Sequence, residues 1–342
     1  MALETPSLTL VGEGSHGTVW VDPTRPHQVL KVFASHECPW WRMEAAALET
    51  VLSRLDPSHA FTPRIYDAHG CVNDGQPCIV MEHAGSSLWA MLVTGDWSRA
   101  RWKARCEAQV LKSLRTAAHG LAVFATNGCL HNDVKLENIM WGCADGGRTV
   151  LVDFMLLSHG PRQDIATFGK SSFWLPPDGL AFRAGCLAAR RPGHLHRLRD
   201  AAIQEAVHWW TYGAKHHRDH GLPWPAMDLA VATKDLSTAI DAVCLWASHG
   251  AWGDQPADAD EDDDHTYLTR VHAGVTPGSP LWGPMMTSDV YGLGLVATCT
   301  LQATGACPGL LRWLPQTLSW NMFARPTAAD AAAAFARYSA AQ

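Results

Sequence analysis

No two cysteines of this chain stand in a C-x-x-C pair, although it carries ten of them, scattered from end to end. That spacing excludes a zinc ribbon and offers no disulfide framework, so reduced thiols in an intracellular compartment are expected. Long apolar runs are missing as well. No stretch of about 18 uncharged apolar residues occurs, so no membrane span is expected, and no secretory apolar region opens the chain. Positive charge is also scarce. A formal net charge of −6 argues against sequence-independent nucleic-acid binding, although "ARRPGHLHRLRD" is a local basic patch. What is there is ordinary: 47% apolar and 18% charged residues over 342 positions, the composition of a soluble globular protein with core enough for two or three domains. The expectation is a soluble intracellular protein, in cytoplasm or nucleus, with neither a membrane nor a nucleic acid as partner.

The first third reads as strands with one helix. "LTLVGEG" and "GTVWVD" flank a glycine turn, and "HQVLKVF" alternates like a third strand. "WWRMEAAALETVLSRL" has helical composition, with Met43, Leu48, Val51 and Leu55 as its apolar spacing. "PRIYDAHG" and "PCIVMEHA" return to strand character. From "RCEAQVLKSLRTAAHGLAVFATNG" onward helices dominate, through "SDVYGLGLVATCTLQATG" to "PTAADAAAAFARYSAA". A small β-rich piece followed by a larger helical one predicts an α+β chain of two lobes with a cleft between them. Residues 179–287 break this rhythm with His, Trp and Arg and with the acidic run "DADEDDDH", which reads as a solvated or disordered loop.

Two places carry chemistry. "GEGSHGTVW" spaces Gly12, Gly14, Gly17 and Val19 as G-x-G-x-x-G-x-V, where the missing Cβ atoms let backbone N–H groups approach phosphate oxygens. A tight hairpin with no ligand explains three glycines almost as well. The continuation "TVWVDP" is a strand and not a helix, which favours a phosphate-covering hairpin over a dinucleotide fingerprint. Lys31 then sits between apolar neighbours and needs an acid to hold it. Glu44 is preferred over Glu49, because Leu48 and Val51 follow it at four and seven residues on one face. The second place is "CLHNDVKLENIMW", residues 129–141. There Leu130, Val134 and Ile139 pin a loop that aims His131, Asp133, Lys135 and Asn138 into a cleft.

These landmarks, together with "VDFML", "SDVYGLG" and "RPTAADA", follow the order of the eukaryotic-type protein kinase superfamily, and the chain resembles its serine/threonine branch. The resemblance implies a bilobal fold, with residues 1–84 as the small lobe, 85–342 as the large lobe and 179–287 as an insertion. It implies transfer of the γ-phosphate of Mg-ATP to protein hydroxyls, with ATP and Mg2+ as cofactors and proteins as substrates. By matching position, Asp133 orients the substrate hydroxyl, Lys135 steadies the phosphoryl group, and Asn138 and Asp153 hold metal. Lys31 holds the α- and β-phosphates and is fixed by Glu44, while His131 and Phe154 pack beneath the site. Met81 backs the adenine pocket, Glu82 and Ala84 offer it backbone groups, and Val19 covers the ring. Ser171 stands where the family places a hydroxyl near the catalytic pair. Asp178 pairs with Arg325, and Asp289 braces the catalytic loop through backbone hydrogen bonds.

The sequence departs from the family in four places. Asn132 replaces an arginine that meets a phosphorylated activation segment, Met155 replaces a glycine, and His16 replaces an aromatic at the glycine-loop tip, where an exposed turn is the reading. About a hundred residues separate Asp178 from Asp289. Within them, "KHHRDH" repeats His-Arg-Asp at His217–Asp219 without the downstream Lys and Asn, and reads as an exposed helix end more readily than as a metal site. "HWWTYG" and the acidic run make 179–287 a candidate docking surface. The relaxed H-x-D and D-F-x-L patterns are similar to divergent viral kinases, herpesvirus-type enzymes among them. Two alternatives stay open: a pseudokinase scaffold, permitted by Asn132 and Met155, and a small-molecule kinase, which Lys135 and the Pro-Pro-Asp segment disfavour.

Overall fold

Short β-branched runs separated by turns build the first layer. In this computed structural model, which describes residues 8–14, 16–35, 38–72, 75–94, 100–141, 148–160, 174, 176–249 and 264–340, the N-terminal strands are β1 (Thr9–Gly14), β2 (Gly17–Val21) and β3 (Gln28–Val32). With β4 (Ile65–Val72) and β5 (Gln76–Glu82) they form one antiparallel sheet of order β1-β2-β3-β5-β4. The register sets Val19 opposite Lys31, Lys31 opposite Ile79 and Val29 opposite Met81.

Helix α1 (Pro39–Ala46) opens on a proline, whose missing N–H costs nothing at that position. It runs through a π-helical stretch (Ala47–Leu52) into a short α2 (Ser53–Leu55). The π turn corrects one expectation. Met43, read as part of the apolar face, is 46% exposed. A π turn holds more residues than an α turn, so 3.6-residue spacing carried back from Leu48 loses phase. Glu44 and Ala45 take the inward positions instead.

Asp56 follows α2 and ties down the entry to β4. Its carboxylate accepts from the N–H groups of Ala60 (2.7 Å), Phe61 (2.9 Å) and Thr62 (2.9 Å), and from Thr62 Oγ1 (2.9 Å). Burial pushes this carboxyl up, but the hydrogen bonds outweigh it and hold the group below its ordinary value. A depressed acid stabilises the fold above its unfolded pKa, and that stability is lost as pH falls through the folded one. Asp56→Ala is expected to cost about 1–3 kcal/mol at neutral pH and to flatten stability against pH on the acid side. Urea midpoints of both proteins between pH 3 and 7 check this.

The rest of the chain is mostly helical. Small β pieces, β6 (Ser86–Ser87), β7 (Cys129–Leu130), β8 (Ile139–Trp141), β9 (Thr149–Leu151) and β10 (Ser158–His159), pair as β6-β8-β9 and β10-β7 around helices α3 (Leu88–Thr94) and α4 (Ala100–Thr126). Then come α5 (Asp178–Arg190), α6 (Leu195–Asp219), α7 (Leu229–His249), α8 (Asp264–Ala273), α9 (Trp282–Met285), α10 (Ser288–Thr304), α11 (Pro308–Trp313) and α12 (Ala328–Ala340). Helix α10 carries no charge after Asp289 and is buried almost all round, as a core helix must be. Gly292 lets it approach the loop beneath it: a Cβ there would lie 2.7 Å from the carbonyl oxygen of Val134.

The described part of residues 179–287 is built into this core. On α6, Ala202, Ala206 and Trp210 join Leu236, Ala239 and Ile240 of α7 in the same apolar cluster as α10. Phe182 and Cys186 of α5, Val243 of α7 and Tyr267 and Val271 of α8 form a second cluster beside it. Most of the acidic run lies outside the described residues. Among the described residues no helix is long and apolar enough to cross a membrane.

Candidate active site

Three distant pieces of chain meet at Lys31. Its Nζ lies 2.6 Å from Glu44 Oε2 and 2.9 Å from Asp153 Oδ1, joining β3, α1 and the turn after β9. Glu49, the competing acid, faces away and meets exposed His69 Nε2 at 3.0 Å. Glu44 also accepts from the backbone N–H of Phe154. Burial would pull the Lys31 ammonium down, but the two carboxylates override it and hold the pKa above its ordinary value. Burial pushes Glu44 up. Asp153 feels the same burial, yet Lys31 keeps it below the usual carboxylate range. Asp153 has φ +70°, a left-handed conformation that L-residues adopt at a cost. The lysine on its carboxylate holds it there, as does buried Phe154, whose ring lies 5.0 Å from His131 and 6.1 Å from Phe124.

The 131–138 loop is hung from α10. The Asp289 carboxylate accepts from the N–H groups of His131 (2.6 Å) and Asn132 (2.9 Å). Burial pushes this carboxyl up, against the pull of His131 and those two bonds. His131 is fully buried; its Nε2 donates to the Val152 carbonyl (3.1 Å) and its Nδ1 accepts from the Asp133 N–H (3.3 Å). Asn132, at φ +61°, suits a left-handed position better than a long side chain does. Its Nδ2 donates to the Leu156 carbonyl (2.9 Å), Ser158 Oγ (2.8 Å) and the Leu130 carbonyl (3.2 Å). This asparagine therefore ties the loop to residues 156–158 through neutral bonds.

At the loop's working end, Asp133 Oδ2 receives both Lys135 Nζ (2.8 Å) and Asn138 Nδ2 (2.8 Å). Asn138 Nδ2 also donates to the Asp133 carbonyl at 2.8 Å, so the amide nitrogen is committed and Oδ1 is the atom left for a cation. The two clusters are neighbours: the Val152 N–H, one residue before Asp153, donates to the Asn138 carbonyl at 3.0 Å, and the charge of Lys135 reaches Asp153. Asp153 and Asn138 supply hard oxygen donors, the kind Mg2+ accepts when phosphates complete its shell. Among the described residues no three acidic, imidazole or thiolate side chains gather as a self-sufficient metal cage.

Above them, Gly14 pairs with Gly17 to close the β1–β2 hairpin. Only one of the three glycines is demanded by packing. A Cβ on Gly17 would lie 2.4 Å from the Val32 carbonyl oxygen, whereas Gly12 and Gly14 would meet nothing nearer than 3.6 and 3.7 Å. Gly17→Ala is therefore expected to destabilise the fold by about 1–3 kcal/mol, with Gly12→Ala far milder, read as thermal midpoints. His16, expected in an exposed turn, is half-buried, with its ring centroid 4.6 Å from that of Trp40. Burial lowers its pKa, and the charges of Asp153, Lys31, Asp133 and Lys135 all reach it. Nothing in the sequence pointed to Trp40 as the surface the hairpin tip rests on.

At the end of β5, Met81 is buried between Val29 and Ile65, and Val19 is half-buried opposite Lys31. The Glu82 N–H already donates to the Arg64 carbonyl (2.8 Å), and its side chain is taken by Arg148 and the Arg64 N–H. Among the backbone groups expected to face a ligand, the N–H of Glu82 is thus committed to the sheet. Ala84 is half-buried in the irregular stretch before Gly85. Ser171 lies outside the described residues.

Farther off, Asp178 and Arg325 form a buried pair, with Arg325 Nη1 2.6 Å from Asp178 Oδ2. The "KHHRDH" segment ends α6, and its exposed-end reading holds only in part. His217 is fully buried against Trp174 and Trp224, and burial pushes its imidazole down to about 4. Searches against protein-family models and against curated proteins return no match for this chain.

Proposed function

We propose that the chain is a bilobal phosphotransferase of the serine/threonine protein kinase type, moving the γ-phosphate of Mg-ATP to protein hydroxyls. One observation carries this reading: the Lys31–Glu44–Asp153 and Asp133–Lys135–Asn138 clusters, drawn from separate elements, stand side by side beneath a glycine hairpin. Phosphoryl transfer requires little covalent help from a protein. It requires fixed cations near the phosphates, oxygens for a metal, and a carboxylate that orients the attacking hydroxyl.

Each part has a candidate here. Lys31, locked between two acids, presents an ammonium whose position does not depend on the ligand. Asp153 and Asn138 Oδ1 would hold Mg2+, which supplies charge neutralisation between phosphate oxygens. Asp133 would take the hydroxyl and Lys135 would face the phosphoryl group. Gly12 and Gly14 fit this scheme as well, because the hairpin's own packing leaves room for a Cβ at both. Their bareness serves the approach of something else, and phosphate is the ligand that bare backbone N–H groups suit.

The test is transfer of labelled γ-phosphate from Mg-ATP to a panel of generic proteins. Label on serine or threonine supports the reading. Nucleotide binding without any label supports a silent scaffold instead, and label on a small alcohol alone supports a small-molecule kinase. Gly12→Ala and Gly14→Ala should each weaken the Mg-ATP-induced rise in thermal midpoint while leaving the nucleotide-free stability within about 1 kcal/mol of the parent.

A further inference from the structure

Helix α6 ends in a cleft that the proposed transfer does not use. Its volume is about 440 Å³, and it is lined by Trp210, Ala214 and Arg218 of α6 and by Leu222, Trp224 and Pro225 of the connection to α7. That is room for one large side chain, against a lining that mixes indoles with an arginine. Trp210 and Trp224 make its wall, with ring centroids 4.9 Å apart and planes tilted by 56°. Leu222 and Trp210 are buried, so this wall is fixed by the core behind it before any occupant arrives.

The rim is cationic. Lys215 Nζ takes the Asp219 carboxylate at 2.6 Å, which neutralises the one acid of this helix end. Arg218 is exposed and, among the described residues, has no ion-pair partner. An arginine beside indoles suits a carboxylate next to an apolar group, because it offers a planar fork of donors. It repels a cationic ligand, so a cage for ammonium groups is excluded. The site also has an address. Trp224 packs edge-on to Trp174 at 6.1 Å, and Trp174 stands four residues before Asp178, three residues after Ser171.

We propose that this cleft docks protein substrates through an aromatic or large aliphatic residue followed by acidic residues. The assignment of the bound peptide to a substrate rests on the phosphotransfer reading; the binding itself does not. The probe is a fluorescein-labelled heptapeptide with a central tryptophan followed by two glutamates, titrated without nucleotide and read by fluorescence anisotropy. Saturable binding is expected, weakened about tenfold or more when the tryptophan becomes alanine or the glutamates become lysines. Arg218→Glu reverses the rim charge and Ala214→Leu fills the cleft. Each should weaken binding by a similar factor and leave transfer to a generic peptide lacking the motif unchanged. With a motif-bearing substrate, KM should rise by a similar factor in both variants while kcat stays unchanged.

No saturable binding up to about 1 mM overturns the proposal, that being the weak end of specific recognition. So does binding that neither variant weakens, because the peptide then sits elsewhere. Binding that both variants weaken, in a protein that transfers no phosphate, keeps the docking site and removes the kinase.

Discussion

Asp133→Asn is expected to lower phosphate transfer by roughly 10²–10⁴-fold, the usual contribution of a positioned proton acceptor, while nucleotide binding persists. The substitution keeps the shape of the side chain. Asn138 Nδ2, at 2.8 Å from Asp133 Oδ2, still finds an amide oxygen to donate to, and its second bond to the Asp133 carbonyl is untouched. The loop's suspension from Asp289 involves only backbone N–H groups of His131 and Asn132, so it too survives. What disappears is the negative charge that Lys135 Nζ meets at 2.8 Å and the acceptor for a hydroxyl proton. The separation is therefore clean. Labelled transfer should collapse, while the thermal-midpoint rise caused by Mg-ATP should stay near that of the parent. Transfer within a few-fold of the parent would remove Asp133 from the chemistry, and with it the reading of the 131–138 loop.

Arg325→Leu is expected to cost roughly 3–5 kcal/mol of stability, as breaking a buried ion pair from one side does. Arg325 is buried completely at its side chain and Asp178 nearly so. The arginine also donates from Nε to the Ser319 carbonyl (2.7 Å) and lies over the Tyr291 ring at 5.1 Å. Its loss leaves Asp178, among the described residues, with the Ser288 hydroxyl at 3.1 Å as side-chain donor, too little for a buried carboxylate. A double-mutant cycle separates pairing from packing. Asp178→Leu with Arg325→Leu should recover a good part of what the single variant loses, because no orphaned charge remains. Additive losses in chemical denaturation would mean that the two residues act independently.

The parts of the site that the sequence announces are those whose chemistry is local. His131, Asp133, Lys135 and Asn138 fall within eight residues, and a loop that short leaves few ways to arrange them. Lys31 and Glu44 are legible because one lies mid-strand and the other begins a helix turn followed by Leu48. Helical phase past that turn is not legible, because the π stretch at Ala47–Leu52 has no residue signature and sends Met43 outward. Residues 179–287 hide an ordinary pattern. Ala202, Ala206, Trp210, Gly213 and His217 form a buried stripe at three- and four-residue intervals. Gln204, Glu205, His208, Lys215 and His216 between them mask it, and His217 belongs to it although imidazoles are usually read as polar. Asp56 is illegible for a different reason: three of its partners are backbone N–H groups, which every residue but proline has.

The suspension of the 131–138 loop from Asp289 has a consequence for the newborn chain. The acceptor lies 158 residues downstream of His131, whose N–H it receives. At about 5–20 residues per second, a ribosome needs roughly 8–30 s to travel from one to the other. For most of that interval Lys31, Asp133 and Asp153 have all been synthesised, yet the loop has no carboxylate to hang from. Until Asp289 has been made, the 131–138 loop of a nascent or prematurely truncated chain lacks the acceptor for two of its backbone N–H groups, so its geometry is set by a residue synthesised long after it.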